Sequence, residues 1–133
     1  MNLKAVHHVA IIVSDYEKSR EFYVDKLGFE IRRENYREKQ QDYKLDLVLN
    51  DVELEIFAPG KKDEDYSVHP KRPSFPEAYG LRHLAFQVDD AEKAAAWLNS
   101  KGIETEPVRV DEFSGGKFTF FKDPDGLPLE LHE

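Results

Sequence analysis

The chain contains no cysteine. Disulfides, cysteine-ligated zinc and a thiol nucleophile are thereby excluded. Long apolar runs are missing as well. The opening MNLKAVHHVAIIVSDYEKSR holds only a short apolar stretch before Asp15, too short for a signal-peptide core or a membrane span. Nor is there an excess of positive charge. With 19 basic against 27 acidic residues the formal charge is −8, and an acidic surface repels phosphate backbones, so nucleic acid is a poor partner. The expectation is a soluble, cytoplasmic protein that acts on a small molecule, with neither a nucleic acid nor a membrane as partner.

What is present is a core and a repeat. Hydrophobic residues form 40% and aromatics 12% of the 133 residues, enough for one packed domain. Residues 8–15 read HVAIIVSD, and residues 83–90 read HLAFQVDD, 75 positions later. VELEIF (52–57) and LPLELH (127–132) recur at the same offset. Each half therefore carries a His with a Glu 47 residues on: His8 with Glu55, and His83 with Glu130. Self-similarity at a fixed spacing marks a duplicated unit.

The elements between these residues match too. After each His a short apolar stretch predicts a buried strand, ending at Asp15 or Asp90 as helix N-caps. The first helix is expected over about Tyr16–Leu27, with Phe22, Tyr23 and Leu27 inward and Gly28 ending it. The second is expected over about Ala91–Lys101, with Ala94, Trp97 and Leu98 inward and Gly102 at its end. Extended segments follow at Phe29–Tyr36 and Ile103–Val110. A strand pair then closes each half. KLDLVL and VELEIF meet at Asn50-Asp51, and KFTFF and LPLELH meet at DPDG (123–126), turn residues that tolerate positive φ. The unit is βαβββ, used twice, in an α+β domain. Module one spans 4–57 and module two 81–133. The joining segment 58–80 holds four of the seven prolines and reads as a polar linker.

A lone His at a strand start is ordinarily structural, and a lone strand Glu ordinarily faces solvent. Glutamate is depleted in strands, however, and both residue types recur here in register. His8, Glu55, His83 and Glu130 are therefore read as the ligands of one divalent metal ion. Two neutral imidazoles and two carboxylates balance its charge and suit Zn, Ni, Co, Mn or Fe(II). Positions left for water or substrate make such a site catalytic. His7 is expected to point the other way and be structural. His132 shares strand parity with Glu130, which makes it a candidate to support a metal ligand from behind. Lys44, Arg37, Arg72, Arg82 and Lys117 are candidates for binding an anionic substrate, above all Arg82 beside His83 and Lys117 on an expected strand.

HHVAIIVSD (7–15), FYVDKLGF (22–29), ELEIF (53–57), GLRHLAFQVDD (80–90) and FFKDPDGLPLELHE (120–133) resemble the vicinal oxygen chelate superfamily over nearly the whole chain. The superfamily includes glyoxalase I, fosfomycin-resistance proteins, bleomycin-binding proteins and extradiol dioxygenases. The resemblance implies paired βαβββ modules forming a cup-shaped mixed sheet around the metal, and it matches His8, Glu55, His83 and Glu130 to the ligand positions. The complete His/Glu/His/Glu set looks most like glyoxalase I, a lyase or isomerase of hemithioacetals. In that mechanism the metal stabilises an enediolate, and a ligand glutamate, Glu55 or Glu130, carries the proton between adjacent carbons. A thiol cosubstrate and a homodimer are further implications, the site forming within one chain or across two. Two alternatives stand beside this. One is another metalloenzyme of the same fold (an epimerase, an Fe(II) dioxygenase or a thiol transferase). The other is a non-catalytic protein that binds a small molecule.

Overall fold

The computed structural model describes residues 1–133, which divide into two compact units, Met1–Lys71 and Arg72–Glu133. Each is a four-stranded mixed sheet with helix on one face. No helix is long and apolar enough to cross a membrane.

In the first unit β1 (His8–Ile12) leads through Asp15 into α1 (Tyr16–Arg20). The Asp15 carboxylate accepts from the Lys18 amide at 3.1 Å, the expected N-cap. The helix does not run on as α to Leu27. From Glu21–Lys26 it widens into a π-helical turn, which keeps Phe22 and Tyr23 buried and leaves Leu27 only half-buried. Gly28 ends it at φ +88°, a conformation costly for any residue with a Cβ. Strands β2 (Glu30–Arg37), β3 (Asp42–Leu49) and β4 (Val52–Pro59) follow, in sheet order β1-β4-β3-β2. The tight turn at Asn50-Asp51 holds Asn50 at φ +51°. Alternation in β4 sorts its side chains. Leu54, Ile56 and Ala58 enter the core, while Glu53, Glu55 and Phe57 take the other face.

The second unit repeats the plan. Its strands are β5 (Leu84–Gln87), β6 (Arg109–Val110), β7 (Lys117–Lys122) and β8 (Pro128–His132), in order β5-β8-β7-β6, with α2 (Ala91–Ser100) between β5 and β6. Asp90 caps α2 by accepting from the Lys93 amide at 3.0 Å. The buried side of α2 is Ala91, Ala95 and Leu98; Leu98 is inward as expected, while Ala91 and Ala95 take the place of Ala94 and Trp97. Ala94 is half-buried, and Trp97 lies outside, with Lys101 Nζ 4.6 Å from its ring centre. The extended segment expected at 103–110 is mostly irregular, with one bridge at Thr105–Phe121 before the short β6.

The expected linker is ordered at its start. Asp63 is buried. Its backbone N–H donates to the Ser14 carbonyl at 2.9 Å, and its carboxylate accepts from the amides of Ser67, Val68 and His69. Burial pushes the Asp63 carboxyl upward, but these hydrogen bonds outweigh it and hold the group below its ordinary value. The stretch up to Lys71 therefore belongs to the first unit.

Candidate metal centre

In both units the first and last strands of the βαβββ repeat lie parallel and adjacent. Ala10 of β1 stands opposite Glu55 of β4, and Ala85 of β5 stands opposite Glu130 of β8. His8 and His83, each two residues before that alanine, reach the carboxylate of the paired Glu. His8 Nε2 lies 3.5 Å from Glu55 Oε2, and His83 Nε2 lies 2.8 Å from Glu130 Oε2. Both pairs use the same ring nitrogen. The two glutamate side chains are largely sheltered, at 14% and 10% exposure, whereas His8 is the most open of the four at 40%.

These separations suit neighbouring ligands of one ion. Bonds of about 2.1 Å put two ligand atoms about 3.0 Å apart at a right angle and about 3.4 Å apart at the tetrahedral angle. An imidazole nitrogen beside a carboxylate oxygen is a sound donor pair for a first-row divalent cation. Within either unit by itself no third His, Asp or Glu joins the pair. One unit alone thus offers two protein ligands, fewer than the three or four that catalytic and structural zinc sites use.

The surroundings of the two pairs differ. Opposite Glu55 on β3 stands Asp46, almost fully buried. It accepts from Lys44 Nζ at 2.8 Å and from Arg33 Nε at 3.0 Å. Lys44 Nζ also lies 3.6 Å from Glu55 Oε1, and Arg33 reaches Glu53 at 3.6 Å. Burial raises the Asp46 carboxyl, yet the two cations outweigh it and hold the group below the usual carboxylate range. Opposite Glu130 stands Phe120 of β7, and Phe118 stands opposite His132. His83 meets the Phe120 ring edge-on at 5.0 Å, and the His132 ring lies parallel to Phe118 at 6.0 Å. The first pair is set among charges and the second among aromatic rings.

The sequence-predicted cations fall in different places. Lys44 and Arg37 share the Glu55 face. Arg37 makes a bidentate pair with Asp42, at 2.7 and 2.6 Å, and lies over Phe57. Lys117 is on the opposite side of its strand from Glu130, with the parity of buried Thr119 and Phe121, and pairs with Glu92 of α2 at 3.5 Å. It does not join the candidate site, because alternation places it against the helix. Arg82 sits beside His83 but is closed in a bidentate pair with Glu77, at 2.9 and 3.0 Å. Arg72 is exposed and donates to the Ala78 carbonyl at 3.4 Å. His7 differs from expectation. It precedes β1, is exposed, and sets its Nδ1 2.9 Å from the Nδ1 of His8. Strand alternation does not govern a residue before the strand. His7 is thus a hydrogen-bond partner of a candidate ligand, at the ring nitrogen other than the one facing Glu55. His132 Nδ1 lies 2.6 Å from the Glu133 carbonyl, and its Nε2 lies 3.5 Å from Asp111. The Glu133 carbonyl first, and then nearby carboxylates, hold its imidazole above the ordinary value.

Sequence reading missed Asp46, Arg33, Phe118 and Phe120. Asp46 was within reach: counting back across the two-residue turn at Asn50-Asp51 pairs it with Glu55. The partners of Glu130 were harder, because five residues, 123–127, join β7 to β8. There Asp123 caps the amides of Asp125 and Leu127, and its own N–H donates to the Leu127 carbonyl, which sets a register that DPDG alone leaves open.

Comparison with known proteins places these features. The sequence model described as Glyoxalase/Bleomycin resistance protein/Dioxygenase superfamily matches residues 5–131. Uncharacterized protein YwkD of Bacillus subtilis (strain 168) is 54% identical, with 100% of this chain and 99% of that protein aligned. Uncharacterized protein YaeR of Escherichia coli (strain K12) is 50% identical, over 100% and 98%. The crystal structure of the glyoxalase family protein from Enterococcus faecalis is 58% identical, covers 100% of both chains and has a TM-score of 0.88. Farther off, at 27–29% identity, are a 2-epi-5-epi-valiolone epimerase from Actinomyces sp, the metallothiol transferase FosB of Staphylococcus saprophyticus, the human mitochondrial methylmalonyl-CoA epimerase and the lactoylglutathione lyase of Schizosaccharomyces pombe. The chain aligns with 48% of the length of that lyase.

Proposed function

Because this chain belongs to the Glyoxalase/Bleomycin resistance protein/Dioxygenase superfamily, we propose that it is a divalent-metal-dependent lyase or isomerase of the glyoxalase I kind. Its substrate would be the hemithioacetal of a 2-oxoaldehyde and a thiol, or a similar compound with vicinal oxygens. His8, Glu55, His83 and Glu130 are the proposed ligands. The observation that carries this reading is the pair of equivalent Nε2–carboxylate contacts, 3.5 and 2.8 Å, at matching positions of a duplicated unit. A divalent ion held by these groups supplies Lewis acidity, which stabilises negative charge on an oxygen beside the carbon that loses a proton.

The protein's own part is the proton transfer. One glutamate carboxylate takes the proton from one carbon and returns it to the next. The surroundings favour Glu130 over Glu55 for this. Glu55 is tied to Lys44 as well as His8, whereas the one ion-pair partner of Glu130 is His83. A carboxylate that must move between two carbons does so more readily with fewer fixed partners. Phe118 and Phe120 flank Glu130 with apolar surface, which limits water around a reacting carbon.

An epimerase is the second reading. Three of the distant relatives carry that name, and epimerisation beside a carbonyl also starts with a carboxylate taking a proton from carbon, but it returns one to the opposite face of that same carbon. The two are separated by assaying methylglyoxal with a panel of thiols after reconstitution with Ni, Co, Zn or Mn. The lyase reading predicts a gain of thioester absorbance, as the hemithioacetal is converted to a 2-hydroxyacyl thioester, with at least one metal and one thiol. Inactivity with every combination would sink the lyase reading. A homodimer is the proposed assembly, since β1 and β2 end the first sheet and β5 and β6 the second. Light scattering on the purified protein checks it.

A further inference from the structure

The cations near the candidate ligands are nearly all committed. Lys44 and Arg33 hold buried Asp46, Arg37 is bidentate on Asp42, Arg82 is bidentate on Glu77, and Lys117 is turned toward α2. Arg109 is the exception. It stands on β6 opposite Phe118, and Phe118 stands opposite His132, two residues from Glu130. Register therefore puts Arg109 on the Glu130 face. Its guanidinium carbon lies 5.0 Å from the Phe118 ring centre and 5.9 Å from that of Phe120. Its one ion pair is with Glu106, three residues earlier, at 3.1 Å, and both side chains are more than half exposed. Such a pair contributes little and is readily exchanged. A guanidinium stacked on aromatic rings keeps its in-plane N–H donors for a planar bidentate acceptor.

We infer that Arg109 recognises a carboxylate on the substrate, with Phe118 and Phe120 as the platform for the adjoining apolar part. The inference rests on the reading of the Glu130 face as the reacting face, and it narrows the substrate class to anionic compounds. Carboxylate binding exchanges Glu106 for the ligand, so no charge is left unpaired at the guanidinium. The first unit has no counterpart to this platform, since Asp46 and Lys44 occupy the positions that Phe120 and Phe118 hold here.

The test uses the full chain, metal-free, and two probes: benzoylformate, an aromatic 2-oxo carboxylate, and its uncharged methyl ester. Nitrogen-15 NMR follows the Arg109 Nε–H resonance in wild type, and the backbone amides of Phe118 and Phe120 in wild type and variants, during titration. Benzoylformate is expected to shift that resonance and saturate. Arg109→Gln should weaken benzoylformate at least tenfold while changing the ester less than twofold, and Arg109→Lys should fall between. Equal benzoylformate affinity in wild type and Arg109→Gln, or no saturable binding to wild type, overturns the assignment. Because the titration needs no metal, it stands or falls separately from the lyase reading. Elemental analysis of Arg109→Gln should show the metal content of wild type, and a drop would overturn the assignment by making Arg109 part of the metal site.

Discussion

Replacing Glu130 with glutamine is expected to lower kcat/KM by roughly 10²–10⁴-fold, the contribution of a positioned acid–base group. Glutamine keeps the size and most of the hydrogen-bonding capacity of the side chain. It cannot accept a proton from carbon, and its neutral amide is a poorer ligand for a divalent cation. Glu130 lies beside His83 and opposite Phe120, with its side chain only 10% exposed, so the substitution changes charge with little change in packing. Glu55→Gln sets the contrast. At saturating metal it should retain at least ten times more kcat than Glu130→Gln, because Glu55 is read as a fixed ligand held by Lys44. Steady-state kinetics at several metal concentrations separates the two variants. Equal losses in kcat would remove the assignment of the proton carrier to Glu130.

The second large effect is expected at Asp46, which touches no proposed ligand directly. Its carboxylate neutralises Lys44 and Arg33 next to Glu55. Asp46→Asn leaves that positive charge uncompensated, and Lys44 then competes with the metal for Glu55. Metal affinity should fall about 10–100-fold, the usual cost of disturbing a group that supports a ligand. Adding Lys44→Met removes the competing cation and should recover most of the loss. A competition titration against a chelator reads both. Unchanged affinity in Asp46→Asn would show that the network is structural only. Stability falls as well, by about 1.5–3 kcal/mol for hydrogen bonds to charged groups, toward the low end because Arg33 is well exposed. The sign with pH follows from the lowered folded-state pKa of Asp46. Its contribution is present above the unfolded carboxylate value of about 3.9 and is lost as pH falls through the lower folded value. The stability gap between wild type and Asp46→Asn should therefore close in acid.

Much of this architecture could be read from the chain because it is written twice. HVAIIVSD and HLAFQVDD fix the same strand, cap and helix start, and Asp15 and Asp90 both cap as their position implies. The repeated 47-residue separation singled out the two His–Glu pairs, but the parallel register that sets Ala10 opposite Glu55 and Ala85 opposite Glu130 was not legible in it. What escaped depends on one-residue offsets. In α2 the periodicity of AEKAAAWLNS allows Trp97 inward as easily as Ala95, and packing chose the smaller residue. At Lys117 the strand was foreseen but not its parity, which the five-residue β7–β8 connection decides. His7 was read as if the strand began one residue earlier. The electrostatic difference between the two faces was legible only after β3 and β7 had been paired residue by residue with β4 and β8.

The central claim, that His8, Glu55, His83 and Glu130 are the ligands of one ion, is tested most directly by metal stoichiometry. Purified wild type loaded with Ni, Co, Zn or Mn and passed through a desalting column should retain one equivalent per chain by elemental analysis. His8→Ala, Glu55→Gln, His83→Ala and Glu130→Gln should each lower retention. One equivalent retained by all four variants, or none by wild type with any of the metals, would contradict the account.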